Sequence, residues 1–221
     1  MRDIGLLGHI LPEVAKLEGV EQPPQYHPEG DVFEHTCMML DMARDPSPEL
    51  ALGILLHDTG KPDTKSYDGR IRFDKHDRIG AEISREVCRR LRVSTDSTDH
   101  IYALVINHMR MPNIRHMRPS KLKLLLALHR FDEHLELHRL DCLASHGALD
   151  VYDYLKGKQE EMSHEEISPP PLVTGEDLIA LGLAPGPIFA KILSDIREKQ
   201  LDNDLTTHEE AVEYVKKQYM I

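Results

Sequence analysis

The sequence predicts an all-α protein, a helical bundle followed by a small helical tail. Apolar residues recur at a spacing near 3.6 almost throughout the chain. Hydrophobic residues make up 40% of the 221 positions but aromatic residues only 5%, with no Trp, which favours a Leu/Ile/Met-packed helical core over a β-sandwich. Only one short stretch reads as strand.

The first helix is predicted over 3–17 from its apolar period. Over 32–44, His35 falls on a stripe with Met38, Met39 and Met42. Over 48–59 the uncharged run "LALGILL" leads into His57 and Asp58. "SYDGRIRF" at 66–73 reads as a strand pair, because Asp68-Gly69 is a hairpin dipeptide between short alternating segments. His76 heads a helix over 76–91 whose stripe is Ile79, Gly80, Ile83 and Val87, and His108 ends one over 97–109 built on Ile101, Leu104 and Val105. "LKLLLAL" lies in a helix over 119–129, and Asp141 sits between Leu137 and Ala144 on one over 131–146. A further helix spans 150–162. The "SPPP" stretch at 168–171 breaks the pattern. Thr174-Gly175-Glu176-Asp177 then starts a capped helix over 174–181, and the turn "GLAPGP" leads to helices over 186–201 and 206–218. The expected organisation is a main domain at 1–163, a Pro-rich linker at 164–171 and a helical tail at 172–221.

The formal charge of −11 disfavours non-specific binding to nucleic acid or membrane. The charge is uneven, however. From His100 to Phe131 there is no Asp or Glu, whereas Arg110, Arg115, Arg118, Lys121, Lys123 and Arg130 fall in that window, as a solvated basic face or a phosphate-attracting rim. The apolar runs are far short of the roughly 20 residues a membrane span needs, and no signal-peptide pattern is present, so a soluble, cytoplasmic protein is expected. Cys37, Cys88 and Cys142 are odd in number and never form CxxC, which argues against a disulfide framework or a zinc-thiolate site.

The inward positions carry the chemistry. His35, His57, Asp58, His76, His108 and Asp141 all fall on or beside buried stripes, and a buried carboxylate without a partner is costly. A divalent ion relieves these costs together. Imidazoles with carboxylates suit Mn, Fe, Ni, Co, Zn or Mg and tend to leave coordination positions open for water and substrate. A first ion is expected on His35, His57, Asp58 and Asp141, and a second on His76 and His108 with Asp58 as the bridge. His134 and His138 are weaker candidates for the same groove, and His9, His27, His100, His129, His164 and His208 fit no inward constellation.

The pattern of His, then His-Asp, then a distant Asp resembles the HD-domain superfamily of metal-dependent phosphohydrolases, at His35, His57, Asp58 and Asp141. "PEGDVFEHT", "LLHDTGKP", "RFDKHDRIGAE", "LHRLDCLASHG" and "TGEDLIALGLAPGPIFAKIL" resemble the C-terminal half of bacterial tRNA nucleotidyltransferases and poly(A) polymerase-like proteins. That resemblance implies an HD domain with an RNA-contacting tail. The nucleotidyltransferase head of those enzymes carries a Gly-Ser phosphate loop followed by an Asp-x-Asp pair, which this sequence lacks, so nucleotide addition by this chain alone is not expected.

The expected activity is metal-dependent hydrolysis of a phosphomonoester or cyclic phosphodiester on a phosphorylated small molecule, nucleotide or RNA end, with Asp58 and Lys61 catalytic. Gly60 is read as a left-handed helix terminator and Pro62 as the residue that stops the helix, which places Lys61 on a stiff turn. Lys61 would bind phosphate or neutralise the carboxylates, and Arg110 and Arg115 are weaker phosphate candidates. Two other readings are a non-catalytic accessory that holds tRNA for a separate nucleotidyltransferase subunit, and an inherited domain whose metal is only a structural clamp.

Overall fold

The computed structural model describes residues 2 and 4–219, and the chain divides into two compact units, Met1–Asn113 with His129–Lys156, and Ile114–Leu128 with Gly157–Ile221. The second unit takes in residues 114–128 as well as the C-terminal part, and the division falls within a helix at 156–157 rather than at the proline stretch.

The first unit begins with α1 (Leu7–Ile10) and α2 (Pro12–Ala15), since Pro12 splits the single helix expected over 3–17. Next come α3 (Val32–Met42) and α4 (Pro48–Leu56). Asp31 caps α3 by accepting from Phe33 N at 2.8 Å and Glu34 N at 3.1 Å, and Ser47 caps α4 by accepting from Leu50 N at 3.0 Å. The helical turn α5 (Lys61–Thr64) precedes the antiparallel pair β1 (Lys65–Tyr67) and β2 (Ile71–Phe73), in the register Lys65 to Phe73, Ser66 to Arg72 and Tyr67 to Ile71. The strand pair expected over 66–73 is therefore present.

Helices α6 (His76–Arg90), α7 (Thr95–Asn107) and α9 (Phe131–Ala144) complete the bundle, and a 3-10 segment (His108–His116) follows α7. The core falls into two clusters, one of Leu17, Val32, Leu56, Val87, Ile101 and Val105 and one of Met39, Ile54, Leu104, Leu137 and Leu140.

The second unit contains α8 (Pro119–Leu126), α11 (His164–Ile167), α12 (Gly175–Ala180), α13 (Pro187–Leu201) and α14 (His208–Tyr219), while α10 (Asp150–Glu161) straddles the division. Leu178, Ile192, Ile196, Ala211 and Val215 form its core. Thr174 and Asp177 form a reciprocal cap at the start of α12, as "TGED" predicts.

Two glycines let segments meet closely enough to build a site. Gly60 has a negative φ of −81°, so the left-handed terminator expected there is not what the chain uses. A Cβ on Gly60 would lie 2.2 Å from His76 O and 2.7 Å from Gly80 N, so glycine is required by the approach of two backbones. Gly80 mirrors it, with a built Cβ 3.3 Å from both Gly60 N and His57 O. Pro62 also differs from expectation. It sits in the first turn of α5 and opens a helical turn rather than ending the chain's helical course.

Candidate metal centre

The "LALGILL" rod of α4 ends at Leu56, and the turn after it holds His57 and Asp58, 1% and 2% exposed. Four elements surround that turn. The middle of α3 brings His35, the first residue of α6 brings His76, the residue after α7 brings His108, and α9 brings Asp141. His35, His76 and His108 are all buried, and the Asp141 side chain is 27% exposed.

Three of the rings are oriented the same way. His57 Nδ1 donates to Ile54 O at 2.7 Å, His76 Nδ1 to Phe73 O at 2.7 Å and His108 Nδ1 to Val105 O at 2.6 Å. A carbonyl only accepts, so each Nδ1 carries a proton, and in the neutral ring Nε2 is left with a lone pair that a metal can take. His57 Nε2 lies 3.2 Å from Asp58 Oδ2, and His76 Nε2 and His108 Nε2 lie 3.5 and 3.9 Å from Asp58 Oδ1. His76 Nε2 and His108 Nε2 stand only 3.1 Å apart. Two lone pairs at that separation repel unless a cation lies between or beside them.

His35 is held differently. Glu29 Oε1 is 2.7 Å from its Nδ1, and Asp141 Oδ1 is 3.1 Å from its Nε2. His27 Nδ1 lies 2.9 Å from the same Glu29 oxygen. Burial opposes a charged ring, but Asp141, Glu29 and Asp58 together outweigh it and hold His35 up at about 9. His108 goes the other way, pushed down to about 3 by burial and by the neighbouring His57 and His76. Burial would raise the carboxyl of Asp58, yet His57, Lys61 and His76 hold it well below the usual range. Asp141 is lowered likewise, against its burial, by His35 and His57.

His35 with His57 and Asp58, and Asp58 with His76 and His108, form two groups whose donor atoms lie within 4.8 Å of one another. Asp58 belongs to both. His35 Nε2, His57 Nε2 and Asp58 Oδ2 are buried without a hydrogen bond of good geometry, which fits donors arranged for an ion. Nitrogen and oxygen donors without thiolate suit a borderline or hard divalent cation. His27, Glu29 and His35 form a third such group, which was not anticipated because His27 and Glu29 lie on a loop with no periodic face to read.

Lys61, only 6% exposed, donates from Nζ to Gln22 Oε1 at 2.6 Å and pairs with Asp58 Oδ2 at 2.7 Å. Its ammonium also sits over the Phe73 ring, 5.4 Å from the centroid. Asp58, Lys61, His76, His108 and Asp141 line a cleft of about 590 Å³. The turn between the strands supplies Arg70 to the same cleft and β2 supplies Arg72 and Phe73, while the loop before α3 supplies Tyr26 and His27.

The other candidates lie elsewhere. Arg110 is half-buried, donates to Asn107 Oδ1 at 2.8 Å and does not line the cleft. Arg115 belongs to the second unit. His134 and His138 do not line the cleft either. His134 stacks edge-on to His100 at 5.7 Å between centroids, and His138 lies beside Cys142 Sγ. His100, which fitted no inward constellation in sequence, is buried and pairs with Glu133 Oε2 at 2.8 Å.

The HD domain family matches residues 32–166. The chain is 34% identical over 217 residues to the CC-adding tRNA nucleotidyltransferase of Thermus thermophilus, a match covering 94% of this chain and 49% of that protein. It is 32% identical over 230 residues to the A-adding tRNA nucleotidyltransferase of Deinococcus radiodurans, covering 97% and 52%. A multifunctional CCA protein of Halorhodospira halophila is 37% identical over 149 residues, covering 65% and 36%. The chain thus spans about half the length of the first two relatives or less of the third. The family match runs through more than half of the chain and encloses every histidine and aspartate gathered around Asp58, so the chain belongs to the HD domain family.

Proposed function

We propose that this protein is a metal-dependent phosphohydrolase, acting as a phosphomonoesterase or a 2′,3′-cyclic phosphodiesterase on nucleotides or RNA ends. The observation that carries this reading is the 3.1 Å approach of His76 Nε2 and His108 Nε2 beside Asp58, at the floor of an open cleft. His35, His57, Asp58 and Asp141 would hold one divalent ion of Mg, Mn, Ni, Co or Fe, and His76 and His108 would hold a second that shares Asp58.

When bound, such an ion supplies Lewis-acid polarisation of a phosphoryl oxygen and lowers the pKa of water. The chain's own residues do the rest. The backbone carbonyls of Ile54, Phe73 and Val105 keep the Nε2 atoms of His57, His76 and His108 turned toward Asp58, which is itself held ionised. Lys61, fixed by Gln22 and Asp58, offers its remaining proton to a phosphate oxygen. Hydrolysis of a panel of phosphomonoesters and 2′,3′-cyclic nucleotides across Mg, Mn, Ni and Co tests the reading. Equal turnover by wild type and Asp58→Ala overturns it.

A second reading follows from the relatives, whose names state an action on tRNA and of which this chain spans about half. The chain would then be a tRNA-binding accessory of, or part of, a nucleotidyltransferase whose head is supplied separately. Salt-dependent tRNA binding that survives loss of Asp58, without hydrolysis, supports it over the first. Among the described residues no helix is long and apolar enough to cross a membrane.

A further inference from the structure

Arginines on the surface of the first unit commonly stand against a glutamate: Arg85 on Glu82 at 3.0 Å, Arg89 on Glu86 at 2.6 Å, Arg90 on Glu13 at 2.8 Å and Arg139 on Glu136 at 2.7 Å. On a chain with 38 acidic and 27 basic residues this pairing is easy to achieve. The hairpin that borders the cleft does not follow that pairing, and neither do Arg44, Arg78 and Arg92, which lie outside the cleft lining. The Arg70 side chain has no hydrogen bond or ion pair among the described residues, and Arg72 reaches only Asp68, at 3.5 Å, while its Nε is buried without a partner. Both line the cleft, and among the described residues Lys61 is the only other lysine or arginine that does.

Lys61 is held by Asp58 and Gln22 at the floor, with one proton left for the reacting group, so the two arginines are the cationic donors left for a second anion. They do not crowd the floor. Phe73 at the end of β2 touches it, with its ring 6.5 Å from that of His76, and Arg70 lies three residues away. At about 3.3 Å per extended residue, the backbone at Arg70 is about 10 Å from that at Phe73. A single phosphate seated at Asp58 is too small to use both places. A neighbouring phosphodiester in the same strand can, and Tyr26, 52% exposed in the cleft lining, offers a ring face for the intervening base.

We propose that Arg70 and Arg72 form a second anion subsite, which grips the phosphodiester 5′ of the reacting group and makes an oligonucleotide 3′ end, rather than a mononucleotide, the preferred ligand. This rests on the reading of the floor as a phosphohydrolase centre. Guanidinium groups suit the role because their planar donors meet phosphate oxygens in pairs.

The full-length chain loaded with Mn is assayed on adenosine 2′,3′-cyclic monophosphate and on a diadenylate ending in the same cyclic group. In R70Q/R72Q the ratio of kcat/KM for the dinucleotide over the mononucleotide falls roughly tenfold or more, as expected for losing charge-assisted contacts, and R70K/R72K restores part of it. An unchanged ratio overturns the subsite, whether both rates fall together or neither does. Circular dichroism confirms that the variants are folded. If the wild type hydrolyses neither compound, the cyclic-phosphodiesterase reading fails, and the subsite is judged by fluorescence anisotropy with a labelled oligoadenylate. Weaker binding by R70Q/R72Q with a shallower salt slope upholds it, and equal affinity and slope reject it.

Discussion

Glu29 Oε1 lies 2.7 Å from His35 Nδ1, while Asp141 Oδ1 approaches the other ring nitrogen at 3.1 Å. The other three rings around Asp58 are each tied through Nδ1 to a backbone carbonyl, which mutation cannot remove. His35 alone depends on a side chain for its orientation. A carboxylate beside Nδ1 keeps the proton there and makes Nε2 the more basic donor to a metal. Glu29→Gln keeps the volume but removes the charge, so divalent-metal affinity is expected to fall about 10- to 100-fold. Isothermal titration with Mn or Ni measures this, and wild-type affinity in the variant refutes the positioning role.

Asp58 is shared by the two groups of donors, and the others divide between them. His108→Ala is therefore expected to reduce the number of ions bound at saturation from two to one, and Asp58→Ala to abolish binding. Metal content after equilibrium dialysis reads the count. Because an ion that binds only the folded chain stabilises it by mass action, added metal also raises the melting temperature of the wild type but not that of Asp58→Ala. A single ion in the wild type, unaffected by His108→Ala, rules out the second site.

The helices and most of the proposed ligands were legible in sequence because they obey a local rule. A 3.6-residue period states which face of a helix is buried, and it pointed His35, His76, His108 and Asp141 inward; His35 shares one donor group with Asp58, His76 and His108 share the other, and Asp141 meets His35. Arg110 was chosen from charge alone, which says nothing about direction, and it points to Asn107. Gln22, Tyr26, His27 and Glu29 lie on an irregular segment, and Arg70 borders a turn, so no period marks them. The Asp31 side chain fixes how that segment enters α3 by accepting from Phe33 N and Gly19 N, but nothing in that cap points to His35.

Gly60 shows the same limit. Its identity is set by a contact with α6, distant in sequence, rather than by its own φ. Gly60→Ala would put a methyl 2.2 Å from a backbone carbonyl, which cannot rotate aside as a side chain could. We expect a loss of about 3 kcal/mol, with the turn carrying Asp58 displaced from His76 and metal affinity reduced. Gly157 in α10 is the control, since a Cβ there meets nothing within 4 Å, and alanine should add up to about 1 kcal/mol of stability. Urea unfolding separates the two, and equal small effects would show that the helices around Gly60 can part freely.

His134 makes the pH dependence of stability testable away from the metal donors. The ring is 2% exposed, neither nitrogen has a hydrogen-bond partner, and burial, followed by the nearby His100, pushes its pKa down to about 4. The folded value lies below the unfolded value of about 6.5, so between those values the unfolded chain binds the proton and the folded chain does not. The stability it contributes is intact above pH 6.5 and is lost as pH falls to 4, by about 3 kcal/mol in total. His134→Leu removes that titration and a buried polar group without a partner. The stability of the variant relative to wild type should therefore rise steadily from pH 6.5 to 4, and parallel unfolding curves over that range would place the ring in contact with water.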